Sequence, residues 1–169
     1  MYTENRDELV EVLNDLVRIN NDRIEGYERA IEDSRDSDND IVNVFSRMID
    51  ESRQYKGELI KAIQTVGGSA EYEETTHSGK LYRFWMKIKE TVTGKDRGSV
   101  LDDCEFGEDA AQKAYQEALE SDATMDTDIR KLIVNQKSSL KNSHDTIKRL
   151  RDMQKEVSDA VSDKKTYNH

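Results

Sequence analysis

The sequence has no proline, one cysteine and only three histidines in 169 residues. Without proline, no helix is forced to stop by the loss of a backbone donor. The single cysteine, Cys104, has no partner in the chain for a disulfide, which fits a reducing cytoplasm. No run of about 18 apolar residues occurs, so no membrane span is expected. The opening MYTENRDELVEV carries acids where a secretory signal needs a basic and then an apolar stretch. Positive charge is in deficit, 26 Lys and Arg against 36 Asp and Glu, for a net charge of -10. That balance argues against nucleic acid, whose phosphates demand a basic face. Apolar residues are also few, at 34%. Helical bundles tolerate this, because much of each helix faces water.

What the chain does have is helical periodicity. Apolar residues recur at alternating steps of four and three between glycine punctuation at Gly67-Gly68, Gly79, Gly94 and Gly98. The first stripe is Leu9, Leu13, Leu16, Asn20, Ile24, Tyr27, Ile31, and an acidic run over 33–40 ends it. The second is Ile41, Phe45, Met48, Ser52, Tyr55, Leu59, Ala62, Val66, with Asp38 or Asp40 as its N-cap. A third, over about Ser99 to Ser121, reads Leu101, Cys104, Glu108, Ala111, Tyr115, Ala118, and it contains Gly107. A fourth, over about Asp126 to Val161, reads Ile129, Ile133, Gln136, Leu140, Ser143, Ile147, Leu150, Gln154, Val157, Val161. The segment 67–98 is a long crossover. Within it Ser78 caps a short helix from Lys80 to about Thr93, with Leu81, Phe84, Trp85 and Ile88 on one stripe. The expected fold is all-α. Two antiparallel hairpins are joined by a long crossover, giving a ferritin-like four-helix bundle over residues 1–161 and a frayed tail at 162–169. A coiled-coil dimer is the alternative, because the stripe period is near 3.5.

Each long stripe is broken near its middle by polar residues: Asn20, Ser52, Glu108, and Gln136 or Ser143. Folding each hairpin back on itself puts Asn20 between Ser52 and Tyr55. Glu108 falls opposite roughly residue 140, within a turn of Gln136, Ser143 and His144. An ionised carboxylate there is costly unless it is paired or bound to a cation. His144 is the expected partner of Glu108, with hydroxyls available from Tyr27, Tyr55 and Tyr115. Two readings follow. The layer is either a metal or small-ligand site, with Glu108 and His144 as metal ligands, or a buried hydrogen-bonded network that fixes helix register. A dinuclear iron bundle needs Glu on two helices and Glu-x-x-His on the other two. Lys141 stands three residues before His144, and the only Glu-x-x-His, Glu74 to His77, lies in the crossover.

Other signals carry less. The alternating Asp36, Asp38 and Asp40 lack a calcium loop's glycine and closing glutamate, since Ile41 and Arg47 stand there. Cys104 reads as a small buried hydrophobe, and Trp85, Phe84 and Tyr82 as anchors for the crossover helix.

Gly67-Gly68, His77-Ser78-Gly79-Lys80-Leu81-Tyr82-Arg83-Phe84-Trp85, Glu105-Phe106-Gly107-Glu108-Asp109-Ala110-Ala111 with Tyr115, then Gln136 and Ser143-His144-Asp145 occur in this order. With this spacing the chain, from about residue 8 to 152, resembles a bacterial ferritin-like four-helix-bundle family of unknown function, domain of unknown function 2383. The resemblance implies the same bundle and supplies no activity. It implies that Glu108, Gln136 and His144 belong to the family pattern. Relatives in the wider ferritin-like class bind iron through carboxylates and histidines, a ligand set from which this sequence departs at most positions. The functional expectation is a non-catalytic cytoplasmic protein that acts by assembly, as a homo-oligomer such as a dimer, or by binding a protein partner. The alternative is a bundle holding a divalent metal such as iron in a reduced site.

Overall fold

In a computed structural model the described residues are 2–34, 36–72 and 96–167. They form four long helices and one 3-10 turn. Helix α1 spans Tyr2–Asp33 and the 3-10 turn Asp36–Asp38; α2 spans Asn39–Thr65, α3 Arg97–Glu120 and α4 Thr127–Tyr167. The expected crossover helix at Lys80 to Thr93, and the Glu74–His77 pair, lie outside the described residues. Helix α4 runs on to Tyr167, through residues 162–167 that were expected to fray. No glycine interrupts that stretch, and its side chains at 162–164 are exposed.

Local chemistry sets the helix ends. Asp96 accepts the Ser99 amide at 2.8 Å and starts α3; Asp126 accepts the Ile129 amide at 2.8 Å and starts α4. Asp38 occupies the N-cap position of α2 but makes no capping bond with its side chain. It pairs instead with Arg97, which also grips Asp40 at 2.7 Å. Helix α2 closes on Gly67, at φ 80°. The Gly68 amide donates to Ile63 O at 2.9 Å and the Gly67 amide to Gln64 O at 3.0 Å, the paired bonds of a Schellman turn.

The order is up, down, down, up. Tyr27 stacks on Phe45 between α1 and α2, and Gln112 reaches the Lys137 carbonyl between α3 and α4. The crossover leaves α2 along α1: Asn14 bonds Ser69 O and the Glu71 amide, and Asn21 bonds Tyr72 O. Its far end, at Arg97, is held at the start of α2 by Asp38 and Asp40. The start of α3 therefore lies beside the start of α2, so α2 and α3 run in the same direction.

The core has two apolar clusters. One gathers Leu13, Leu16, Leu59, Ile63, Ala111, Ile133 and Leu140; the other gathers Tyr27, Ile41, Phe45, Leu101, Cys104 and Ile147. Each such aliphatic or aromatic side chain contributes about 1.5–3 kcal/mol by leaving water. Between the two clusters lies a layer of buried polar side chains.

Candidate functional site

The layer has two tiers. In the first, Asn20 on α1 donates to the Tyr115 hydroxyl at 2.9 Å. Tyr115 donates to Gln136 Oε1 at 2.6 Å, and Gln136 Nε2 reaches the Tyr55 carbonyl at 3.3 Å and Glu58 at 3.1 Å. One tier thus ties all four helices together. Burial pushes the Tyr115 phenol well above its ordinary pKa, so it stays a donor.

The second tier is ionic. Arg23 on α1 is 4% exposed and Glu108 on α3 is 1% exposed. Arg23 Nε donates to Glu108 Oε1 at 2.7 Å, and Nη1 donates to Ser52 Oγ at 2.8 Å and to the Met48 carbonyl at 3.3 Å. The partly buried Glu51 lies 2.9 Å from Nη1 and accepts from Ser143 at 2.8 Å. The Tyr27 hydroxyl donates to Glu108 Oε1 at 2.5 Å, and the Tyr27 ring lies under the guanidinium, 5.4 Å from its carbon. Burial works against the charge on Arg23, but Glu108, with Tyr27 and Glu51, outweighs it and holds the guanidinium protonated. Burial, together with the Glu108 charge, pushes the Tyr27 phenol well up. Arg23 is therefore a fixed cation in this tier. Two acceptors of the layer, Asn20 Oδ1 and Glu108 Oε2, are buried without a hydrogen bond, a deficit of about 1–3 kcal/mol each.

Asn20, Ser52, Glu108, Gln136 and Ser143 are all buried; Tyr115 links Asn20 to Gln136, and Arg23 with Glu51 links Ser52, Glu108 and Ser143. The structure does not bring Glu108 and His144 together. His144 lies on the outer side of the α3–α4 contact, 17% exposed, with Nε2 2.6 Å from Asp109 and Nδ1 3.2 Å from Asp145. The reason is helical phase. Tyr115 pairs with Gln136 and Asp109 with His144, which puts Glu108 near the height of His144, but Glu108 stands about 100° round α3 from Asp109 and faces Arg23 and Tyr27 on α1. Burial works against protonation of His144, but Asp145 and Asp109 more than offset it and raise its pKa. Ligand atoms of Glu105, Asp109 and His144 all lie within 4.8 Å of one another.

Sequence reasoning missed Arg23. The steps from Leu16 to Asn20 to Tyr27 admit either residue 23 or 24, and hydropathy selects Ile24, which is only partly buried. The available signal was Glu108 itself: a buried acid calls for a base at the same height.

A dinuclear carboxylate centre would need acids converging from all four helices. Here α1 contributes a guanidinium, α2 Ser52 and Glu51, α3 Glu108, and α4 Gln136 and Ser143. These residues do not fit such a centre, since the tier already contains its cation.

The fold is shared with solved ferritin-like proteins. A Dps1 mutant from Mycobacterium smegmatis aligns with a TM-score of 0.70 at 11% identity, over 88% of this chain and 97% of that one. A ferritin-like, diiron-carboxylate protein from Bacillus anthracis str. Ames aligns at 0.63 with 17% identity, over 88% and 96%. At these identities the likeness is one of fold. No curated protein sequence matches this chain. The sequence pattern of the domain of unknown function 2383 matches residues 8–121, and the chain belongs to that ferritin-like family.

Proposed function

We propose that this protein is a non-catalytic ferritin-like bundle of the cytoplasm that acts by assembling with itself, with a dimer as the smallest unit. The observation that carries the reading is Arg23: its guanidinium, 2.7 Å from Glu108, supplies in covalent form the positive charge that a metal would bring. The assembly half is supported by α4. Toward its C-terminal end Met153, Val157 and Val161 are 56%, 57% and 49% exposed on one side of the helix, an apolar stripe suited to a second copy. Light scattering on the wild type is expected to give a dimer or larger, and Val157→Asp to shift it toward monomer without lowering its melting temperature. A wild type that is monomeric at high concentration contradicts the reading. Protein from iron-rich medium should carry no stoichiometric iron, and Fe(II), Mn(II) or Zn(II) should not raise its melting temperature.

A second reading has its own observation. The Glu105, Asp109 and His144 ligand atoms, within 4.8 Å of each other, offer a mixed carboxylate–imidazole set for one divalent cation. Asp145, at 3.2 Å from His144 Nδ1, would orient the ring as outer carboxylates do around metals. On this reading Zn(II) binds one per chain, His144→Ala abolishes binding and Glu108→Gln leaves it intact. Binding that survives His144→Ala removes it.

A further inference from the structure

The α3–α4 face that carries Glu105, Asp109 and His144 also carries a resident cation. Glu105 and Asp109 stand one turn apart on α3 and meet His144 of α4. Glu105 is only 8% exposed, and its Oε2 pairs with Arg151, two turns beyond His144 on α4. One buried carboxylate thus serves two cation positions, the metal-ligand set and the guanidinium. The guanidinium does not depend on Glu105 alone. It lies 2.9 Å from Asp152 and 3.8 Å from Asp102, both exposed, and Arg151 is itself about a third exposed. Pairs in contact with water hold their partners loosely, so Arg151 moves at little cost and keeps two carboxylates when it does. Glu105 stands in the opposite position. A buried carboxylate that loses its cation is left uncompensated, so Arg151 leaves it only as another cation arrives.

We propose that Arg151 is an internal competitor for this site: a divalent cation takes Glu105, Asp109 and His144 by displacing the guanidinium from Glu105 onto Asp102 and Asp152. The proposal rests on the second reading above and adds to it a residue that binds no metal yet sets the affinity. The exchange keeps charges matched, with two carboxylates on the divalent ion and two others on the guanidinium. Leaving both cations on Glu105 would set like charges against each other across one half-buried carboxylate. A monovalent ion brings no more charge than the guanidinium it would replace, so the exchange selects for divalent ions.

The test is isothermal titration calorimetry of the full chain with Zn(II), comparing wild type, Arg151→Gln and Arg149→Gln. Arg149 is exposed and lies about 200° round α4 from Arg151, so its variant makes the same change in net charge away from the site. Arg151→Gln should tighten Zn(II) binding by about tenfold or more, and Arg149→Gln by less than about twofold, because solvent screens it. Arg151→Lys, which keeps a cation there, should give most of the gain back. Should Arg151→Gln not fold, Arg151→Met keeps the aliphatic stem and is held to the same result. A crystal structure of the zinc-loaded wild type should show the guanidinium on Asp102 and Asp152 and off Glu105. Binding that His144→Ala abolishes, but that Arg151→Gln leaves unchanged or weakens, overturns the proposal and leaves the metal reading standing, as does a guanidinium still on Glu105 beside bound zinc. Absence of binding by both wild type and Arg151→Gln removes the metal reading and this proposal with it.

Discussion

At the residue scale the account turns on Arg23 and Glu108. Breaking a buried pair costs more than never having had it, because the survivor keeps its charge and loses its partner. Arg23→Met should therefore lower the unfolding free energy by about 3–5 kcal/mol in urea titrations. Adding Glu108→Leu should recover part of that loss, a non-additivity that a double-mutant cycle reads directly. Equal and additive losses would mean that the two side chains do not act as a pair. His144 gives a pH prediction with a definite sign. Its folded pKa is raised above the ordinary 6.5, with burial opposing and Asp145 and Asp109 prevailing. Its stabilisation is complete below 6.5 and is lost as pH rises through the folded value. Melting temperatures should fall across that window in the wild type and lose that slope in His144→Gln. The polar positions of the layer were legible residue by residue, because each interrupts an apolar stripe. Their partners were not. Arg23 hides beside an equally spaced isoleucine, and the rotational phase of α3, which points Asp109 at His144 and Glu108 at Arg23, is not read from axial spacing.

At the element scale the four helices follow from periodicity and caps, both of which are local and therefore readable. The Gly67-Gly68 stop is one such signal, and the reason is now explicit. Gly67 sits at φ 80°, where an L side chain is strained. A Cβ on Gly68 would come 2.4 Å from Val10 Cγ2. Gly67→Ala should cost about 1–2 kcal/mol, and Gly68→Ala should also destabilise, by forcing Val10 off α2. A thermal unfolding series that finds either substitution neutral contradicts this description of the turn. The acidic run after α1 was less transparent. Asp38, one of the two N-cap candidates with Asp40, does stand at the N-cap of α2, but its side chain makes no capping bond and holds Arg97, a residue 59 positions away. No local pattern announces such a contact.

At the scale of the whole molecule, the long crossover fixes the topology. A chain that must run the length of the bundle between α2 and α3 makes those helices parallel and leaves every adjacent pair with a polar tier at mid-height. That arrangement was foreseeable from the length of segment 67–98. Its chemical content was not, because the ferritin-like architecture is compatible with several fillings of its centre. In this chain the filling is a guanidinium, a carboxylate, two phenols and two amides, in one hydrogen-bonded group of Arg23, Glu108 and Tyr27 and another of Asn20, Tyr115 and Gln136 that reaches all four helices. The most direct measurement of that claim is anomalous diffraction at the iron edge from crystals grown with Fe(II). The expected map has no anomalous peak between α1 and α3 at mid-height and continuous density from the Arg23 guanidinium to Glu108. A strong peak beside Glu108, with Arg23 turned away, would contradict it.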